Sequence, residues 1–259
     1  MTKGIAFFDL DATLLDENAK ITPNTKSALN RMKENGILVV IATGRSILEL
    51  SQDNILEESG IDTAIMLNGA QIMYQGEIIV NRTIPSDVIT RMINLFKKEG
   101  LGLAYLTERE IFVGVKNEAI YQHFNYFHQP CFSYLEAYYL TNQINMLIIG
   151  SNDQRQDRFI IERFPELDFF RNSPHSIDVT PLGVDKAFGA RELIARLKLQ
   201  GVKTYAFGDG LNDLPLFKIC DERVCMANGK DELKEIATLV TKSNTEDGVA
   251  YAIKQLGLI

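Results

Sequence analysis

Three short apolar runs, each continuous rather than alternating, limit this chain more than any other feature. They cover residues 5–8, 37–42 and 64–67. A strand that is apolar on both sides is buried on both faces, as in a parallel sheet covered by helices. Helical patterns separate the runs. Thr22-Pro23 reads as an N-cap followed by proline at the first helical position. Ala28, Leu29 and Met32 then fall at helical spacing, and Gly36 closes that helix. A second helix is expected over residues 46–58, ended by Gly60. Strands alternating with helices argue for an α/β fold with a parallel sheet.

The rhythm then changes. Residues 72–74 and 77–80 flank Gln75-Gly76, a hairpin signal. An amphipathic helix follows over 86–98, with Val88, Ile89, Met92 and Phe96 inward. A second hairpin at 103–106 and 111–113 comes next. Then follow a helix at 118–127, a strand at 144–149, a helix at 154–164, and strands near 167–170 and 176–179. From Lys186 the first rhythm returns: a helix over 187–197, a strand at 204–207, a short helix at 214–219, strands near 224–226 and 239–240, and a last helix over 248–256. The expected organisation is a discontinuous α/β core, residues 1–83 and 184–259, with an α+β unit inserted at 84–183.

A length of 259 residues is enough to bury a sizeable core. The net charge of −7 argues against broad nucleic-acid binding, because phosphate backbones are repelled. The cysteines Cys131, Cys220 and Cys225 are odd in number and lack CxxC spacing. That favours a reducing, cytoplasmic setting over a disulfide or zinc framework. No apolar stretch approaches the roughly 18 residues of a membrane span, so no membrane association is expected.

Chemistry concentrates where the apolar runs stop. Asp9-Leu10-Asp11-Ala12-Thr13 follows the first run. Ligands of open parallel sheets bind at the carboxyl ends of strands. Alternation would point Asp9 and Asp11 the same way, so a cation between them or a shared proton is expected. Such a pair suits magnesium, with one acid as nucleophile and the other moving a proton; a solvated Asp/Thr loop is the plain alternative. Gly208-Asp209-Gly210-Leu211-Asn212-Asp213 follows another run and reads either as a second acidic strand end or as a turn with a helix cap. Thr43-Gly44-Arg45 offers a hydroxyl and helix-terminal amides to a phosphate, or a simple cap. Lys186 at the start of a helix opposes the macrodipole, which calls for an anionic partner unless it is a surface lysine.

These motifs, in this order, resemble those of the haloacid dehalogenase-like hydrolase superfamily. The long insertion between Arg45 and Lys186, with Leu67-Asn68-Gly69-Ala70 and Glu246-Asp247-Gly248-Val249-Ala250, is similar to the Cof-type sugar-phosphatase subfamily. The resemblance covers essentially the whole chain. It implies a Rossmann-like core and a cap domain that excludes water and reads the leaving group. It implies Asp9 as nucleophile, forming an aspartyl-phosphate, and Asp11 as proton donor and acceptor. Mg2+ would be held by Asp9, the backbone carbonyl of Asp11 and Asp209, with Asp213 in support. Thr43, Gly44, Arg45, Lys186 and Asn212 would bind phosphate or substrate, with Asn68 supporting. Two departures stand out. Ala12 replaces the usual glycine, at a cost of roughly 1 kcal/mol if the position needs positive φ. Cys225 replaces a small buried residue and reads as packing.

The expected activity is Mg2+-dependent hydrolysis of a small phosphorylated metabolite, a sugar phosphate by resemblance. A mutase or phosphotransferase using the same nucleophile, or a catalytically weak binding protein of the same fold, are the alternatives. The cap is less informative. Arg171-Asn172-Ser173-Pro174-His175 is expected to return toward the core and approach the site, with His175 a loop residue. His123, His128 and the aromatics Tyr121, Phe124, Tyr126 and Phe127 read as a packed helix rather than a substrate platform. Tyr134, Tyr138 and Tyr139 read the same way.

Overall fold

The computed structural model describes residues 2–127, 129–130 and 132–259, with Asn172 described by its backbone alone. Met1, His128 and Cys131, two of which figured in the sequence reading, lie outside the described residues. The first part of the chain runs β1 (Gly4–Phe8), α1 (Pro23–Glu34), β2 (Ile37–Ala42), α2 (Ile47–Gln52), α3 (Ile55–Ser59), β3 (Ala64–Met66), β4 (Gln71–Tyr74) and β5 (Glu77–Asn81). The middle part holds α4 (Ser86–Glu99), β6 (Gly102–Leu106), β7 (Ile111–Val115), α5 (Glu118–Tyr126), β8 (Met146–Gly150), α6 (Gln154–Ile161), β9 (Leu167–Ser173) and β10 (Ser176–Pro181). The last part adds α7 (Lys186–Arg196), β11 (Lys203–Gly208), α8 (Leu214–Ile219), β12 (Glu222–Cys225), α9 (Asp231–Ile236), β13 (Leu239–Val240) and α10 (Gly248–Gln255).

The first and last parts share one sheet, in the order β13-β12-β11-β1-β2-β3-β4-β5. Its strands are parallel from β13 to β3, and the β4–β5 hairpin extends it antiparallel. The continuous apolar runs have the expected cause. Ile5 and Phe7 pack against Ala190, Leu193, Leu216 and Phe217 on one face. Ala6 and Phe8 pack against Leu29, Met32, Ala252 and Ile253 on the other. Both sides of β1 are therefore covered, as a doubly wound sheet requires.

The helix expected over residues 46–58 is two helices. Ser46 caps α2 with its side chain, accepting from the Glu49 amide, and the Ser46 amide donates to the Glu49 carboxylate. Asn54, at φ 54°, then turns the chain left-handed before α3. Asparagine tolerates that conformation, and no helical pattern in the side chains could announce the break.

The middle part forms a separate antiparallel sheet, β7-β6-β8-β10-β9. Its outer face carries Leu103, Tyr105, Leu147, Ile149, Ile177 and Val179 against α4 and its neighbours. Tyr138 and Tyr139 join that cluster, while Tyr134 is half exposed. The inner face carries Ala104, Leu106, Met146 and Ile148, with Ile120 and Phe124 of α5 packed on it. The α+β insertion is a cap whose inner face looks toward the carboxyl ends of the core strands. The segment 171–175 closes the β9–β10 hairpin inside the cap, so the chain does not return to the core there, although Arg171 approaches the site as expected. The chain returns instead through residues 182–185, past Gly183 at φ 76°.

Candidate active site

The site is built from strand ends. After Phe8 the chain leaves β1, and the amides of Leu14 and Leu15 reach back five residues to the carbonyls of Asp9 and Leu10. That wide turn ends the alternation between Asp9 and Asp11. Their side chains go to different cationic side chains, Lys186 and Arg45. Asp9 Oδ1 accepts from Lys186 Nζ at 2.6 Å. Asp11 accepts from Arg45 through both oxygens, from Nε at 3.0 Å and NH2 at 2.6 Å. Arg45 NH1 is also taken, by Asp53 at 2.5 Å. Ala12 stands at φ 57°, the left-handed region in which a Cβ is strained. Asn228 Nδ2 donates to the Ala12 carbonyl at 2.8 Å and helps hold the turn.

Lys186 is completely buried at the first position of α7. Its Nζ bridges Asp9 and Asp213, at 2.6 Å each. This is the anionic partner that its place at a helix start called for. Burial works against the ammonium, yet Asp213 and Asp9 together raise its pKa above the ordinary lysine value. Both oxygens of Asp213 are engaged: Oδ1 accepts from Lys186, and Oδ2 accepts from the amides of Asp209 and Gly210. Gly208 makes that fit possible, because a Cβ there would lie 2.4 Å from Asp213 Oδ2.

Asp209 Oδ1 accepts from Thr13 Oγ1 at 2.9 Å. Burial first, and then Asp213, push its carboxyl up to about 6. Burial also raises Asp9 well above the usual carboxylate range; Lys186 opposes this, and the neighbouring acids add to it. Oxygens of Asp9, Asp209 and Asp213 lie within 4.8 Å of one another. Three carboxylates face one lysine here, an acidic cluster that could hold a divalent cation. All the donors are hard oxygens, which suits Mg2+.

Thr43 is buried, and its Oγ1 accepts from the Arg45 amide at 3.1 Å. Beside it, Asn68 Nδ2 donates to Asp178 Oδ2 of the cap at 2.8 Å, and Asn212 Nδ2 donates to Asn68 Oδ1 at 3.1 Å. Gly44 is packed so closely that an added Cβ would meet both Asn68 and Asp178 at 3.3 Å. All ten candidate residues thus gather at one end of the core sheet. A cavity of about 570 Å³ opens above them. Asp9, Asp11, Gly44, Arg45, Asp209 and Asn212 line its core side.

The cap side holds residues the sequence reading left in the packed interior: His123, Tyr126 and Phe127 reach this cavity, together with Met146 and Asp178. Arg171 reaches it too, as its expected approach to the site required. Asp178 could have been noticed as an acid breaking an apolar strand; His123 carried no such signal. Cys225 is buried in the core, as its packing role required.

The family model for haloacid dehalogenase-like hydrolases matches residues 6–253. The chain belongs to that family. The Cof-type resemblance stands with it, and the enzyme is a phosphatase. It is 32% identical to YkrA of Bacillus subtilis, whose name gives phosphatase as an inferred activity, over 100% of both chains. It is 28% identical to YcsE of the same organism, named a 5-amino-6-(5-phospho-D-ribitylamino)uracil phosphatase, over 95% of this chain and 92% of the relative. Among solved structures, the subclass IIB sugar phosphatase BT4131 is 28% identical with a TM-score of 0.87, covering 100% of each chain. The phosphatase also has no helix among its described residues that is long and apolar enough to cross a membrane.

Proposed function

We propose that this phosphatase hydrolyses a small phosphorylated metabolite with a sugar or polyol head, through an aspartyl-phosphate on Asp9. The observation that carries the reading is the buried Lys186 bridging Asp9 and Asp213 beneath an open cavity. Lys186 holds one Asp9 oxygen and leaves the carboxylate oriented by a fixed charge. Phosphoryl transfer depends on such positioning and charge neutralisation. Asp9 and Asp209, with the Asp11 carbonyl, would hold Mg2+; Asp213, bonded to Lys186 and to the Asp209 and Gly210 amides, would support them. The bound ion would supply charge neutralisation at the phosphoryl oxygens.

In this reading Asp9 attacks phosphorus while the ester oxygen leaves with a proton from Asp11. Water then attacks the aspartyl-phosphate, Asp11 takes the water proton, and Asp9 and free phosphate return. Thr43 and Lys186 bind the transferring group, with Asn212 nearby. Asp11 is held by Arg45 through both carboxylate oxygens in its present position. It delivers a proton only after turning away from Arg45 toward the cavity. The named substrates of the two relatives, a sugar phosphate and a phosphoribitylamino-uracil, support a polyol-like head next to the phosphate.

The test is phosphate release from p-nitrophenyl phosphate and a panel of sugar phosphates, with Mg2+ and with chelator. Wild type should release phosphate only with the metal, and Asp9→Asn should release none. Consumption of the ester only when a second alcohol is added, with the phosphoryl group recovered on that alcohol rather than as free phosphate, would favour a phosphotransferase. A folded wild type that releases nothing under either condition would refute the hydrolase reading.

A further inference from the structure

The cap half of the cavity has its own chemistry. Leu106, Met146 and Ile148 lie on one face of adjacent strands and give it an apolar floor. α5 crosses that same face because Gly102 and Gly150 leave room. A Cβ on Gly150 would stand 2.6 Å from the Ile120 backbone nitrogen, and one on Gly102 would stand 2.1 Å from Asn117 Oδ1. The close approach brings His123 and Phe127 to the cavity wall.

His123 is 3% exposed, and its Nδ1 is engaged with Ser176 Oγ at 2.7 Å. Its Nε2 has no hydrogen-bond partner among the described residues. That atom is open to a hydrogen bond with a ligand in the cavity that His123 lines. Burial, and then His175, lower the imidazole pKa to about 4, so the ring is neutral. Phe127 lies 5.0 Å from it, and the half-exposed Tyr126 lies 5.0 Å from Phe127. Arg171, the described cation of the cap at this cavity, is neutralised by Asp157 through Nε at 2.6 Å and NH2 at 2.5 Å.

Such a wall serves some leaving groups poorly. A second phosphate would find no uncommitted cation on this wall, Lys230 lying on the core side of the cavity. A bare polyol buried against Leu106, Met146 and Ile148 would lose hydration that apolar side chains do not replace. A flat ring gains stacking on the aromatics and burial on the floor. We infer that His123, Tyr126 and Phe127 are specificity-determining contacts for phosphate monoesters whose alcohol carries an uncharged flat ring, with His123 Nε2 bonded to a polar atom of that ring. The inference rests on the phosphatase reading above.

The experiment compares ribose 5-phosphate with ring-bearing esters of similar head, uridine and adenosine 5′-monophosphates and pyridoxal 5′-phosphate, and with fructose 1,6-bisphosphate. Phosphate release is followed with Mg2+ in wild type, His123→Asn, His123→Gln and Tyr126→Ala. At least one ring-bearing ester should exceed ribose 5-phosphate in kcat/KM by about tenfold or more. Asparagine keeps an amide atom where Nδ1 lies and places nothing at Nε2; it should raise KM for that ester severalfold and leave ribose 5-phosphate unchanged. Glutamine, which reaches the Nε2 position, should restore part of the loss. Tyr126→Ala, at an exposed position, should act in the same selective way.

Equal or better turnover of ribose 5-phosphate or the bisphosphate overturns the inference while Asp9-dependent release upholds the phosphatase reading. An equal loss on all esters in His123→Asn and Tyr126→Ala also overturns it, since that would mark a structural role. Absence of Asp9-dependent release from every ester refutes the phosphatase reading and this inference with it.

Discussion

Lys186 shows most directly what single side chains contribute. Its ammonium has no access to water and is offset by two carboxylates from distant parts of the chain. Lys186→Met would leave Asp9 and Asp213 buried without a cation. The expected loss is about 3–5 kcal/mol in urea unfolding, with phosphatase activity abolished. Ala12 works in the opposite direction. Ala12→Gly relieves the Cβ at φ 57° but adds freedom to the unfolded chain; the net gain should be about 0.5–1 kcal/mol in the same assay. His123 sets a pH dependence. Its folded pKa of about 4 lies below its unfolded value, so the unfolded chain binds more protons between the two. Stability from a neutral His123 is complete above pH ~6.5 and is lost as pH falls toward about 4. His123→Asn should flatten the wild-type decline in that window by up to about 3 kcal/mol, measured by urea unfolding across pH.

At the level of elements, β-carbons missing from strands matter as much as side chains present. Gly150→Ala would press a methyl group against the α5 backbone. A well-packed site that receives an extra methyl typically loses about 1–3 kcal/mol. The helix would shift outward with His123, so KM on the best ester should rise while release of phosphate still depends on Asp9. The sequence made the helices and strands around this contact legible, because α4, β6, β7 and α5 carry strong periodicity and turn signals. It did not show that α5 lies on the cavity side of the cap sheet. Apolar positions on β6 and β8 read alike whether they meet a helix or a ligand. The Arg45–Asp11 pair was hidden for a related reason. Its partners are 34 residues apart, and the wide turn after Asp9 carries no pattern that says where Asp11 points. The acids themselves were legible, since carboxylates at the end of apolar strands have few structural reasons to be there.

On the scale of the whole molecule, the core sheet and the cap sheet meet over one cavity, with Asn68–Asp178 and Gln129–Glu49 hydrogen bonds running between them. The site draws on β1, the loops after β2, β3 and β11, and the start of α7, so a ligand there is bound only by the complete fold. Mg2+ should therefore raise the melting temperature, by the equivalent of about 2.7 kcal/mol at a hundredfold excess over its Kd, measured by thermal unfolding against chelator. Asp209→Asn should remove most of that shift. The position of β1 has a further effect, on synthesis. It lies in the middle of the sheet, and its Phe8 pairs with Phe207, about 200 residues later. A ribosome adding about 5–20 residues per second needs roughly 10–40 s to make that stretch. Throughout that interval one edge of Ile5-Ala6-Phe7-Phe8 has no native neighbour, while the cap is still emerging. The nascent chain must keep this apolar strand from pairing elsewhere until β11 has been made, which gives cellular chaperones a part in the yield of active enzyme.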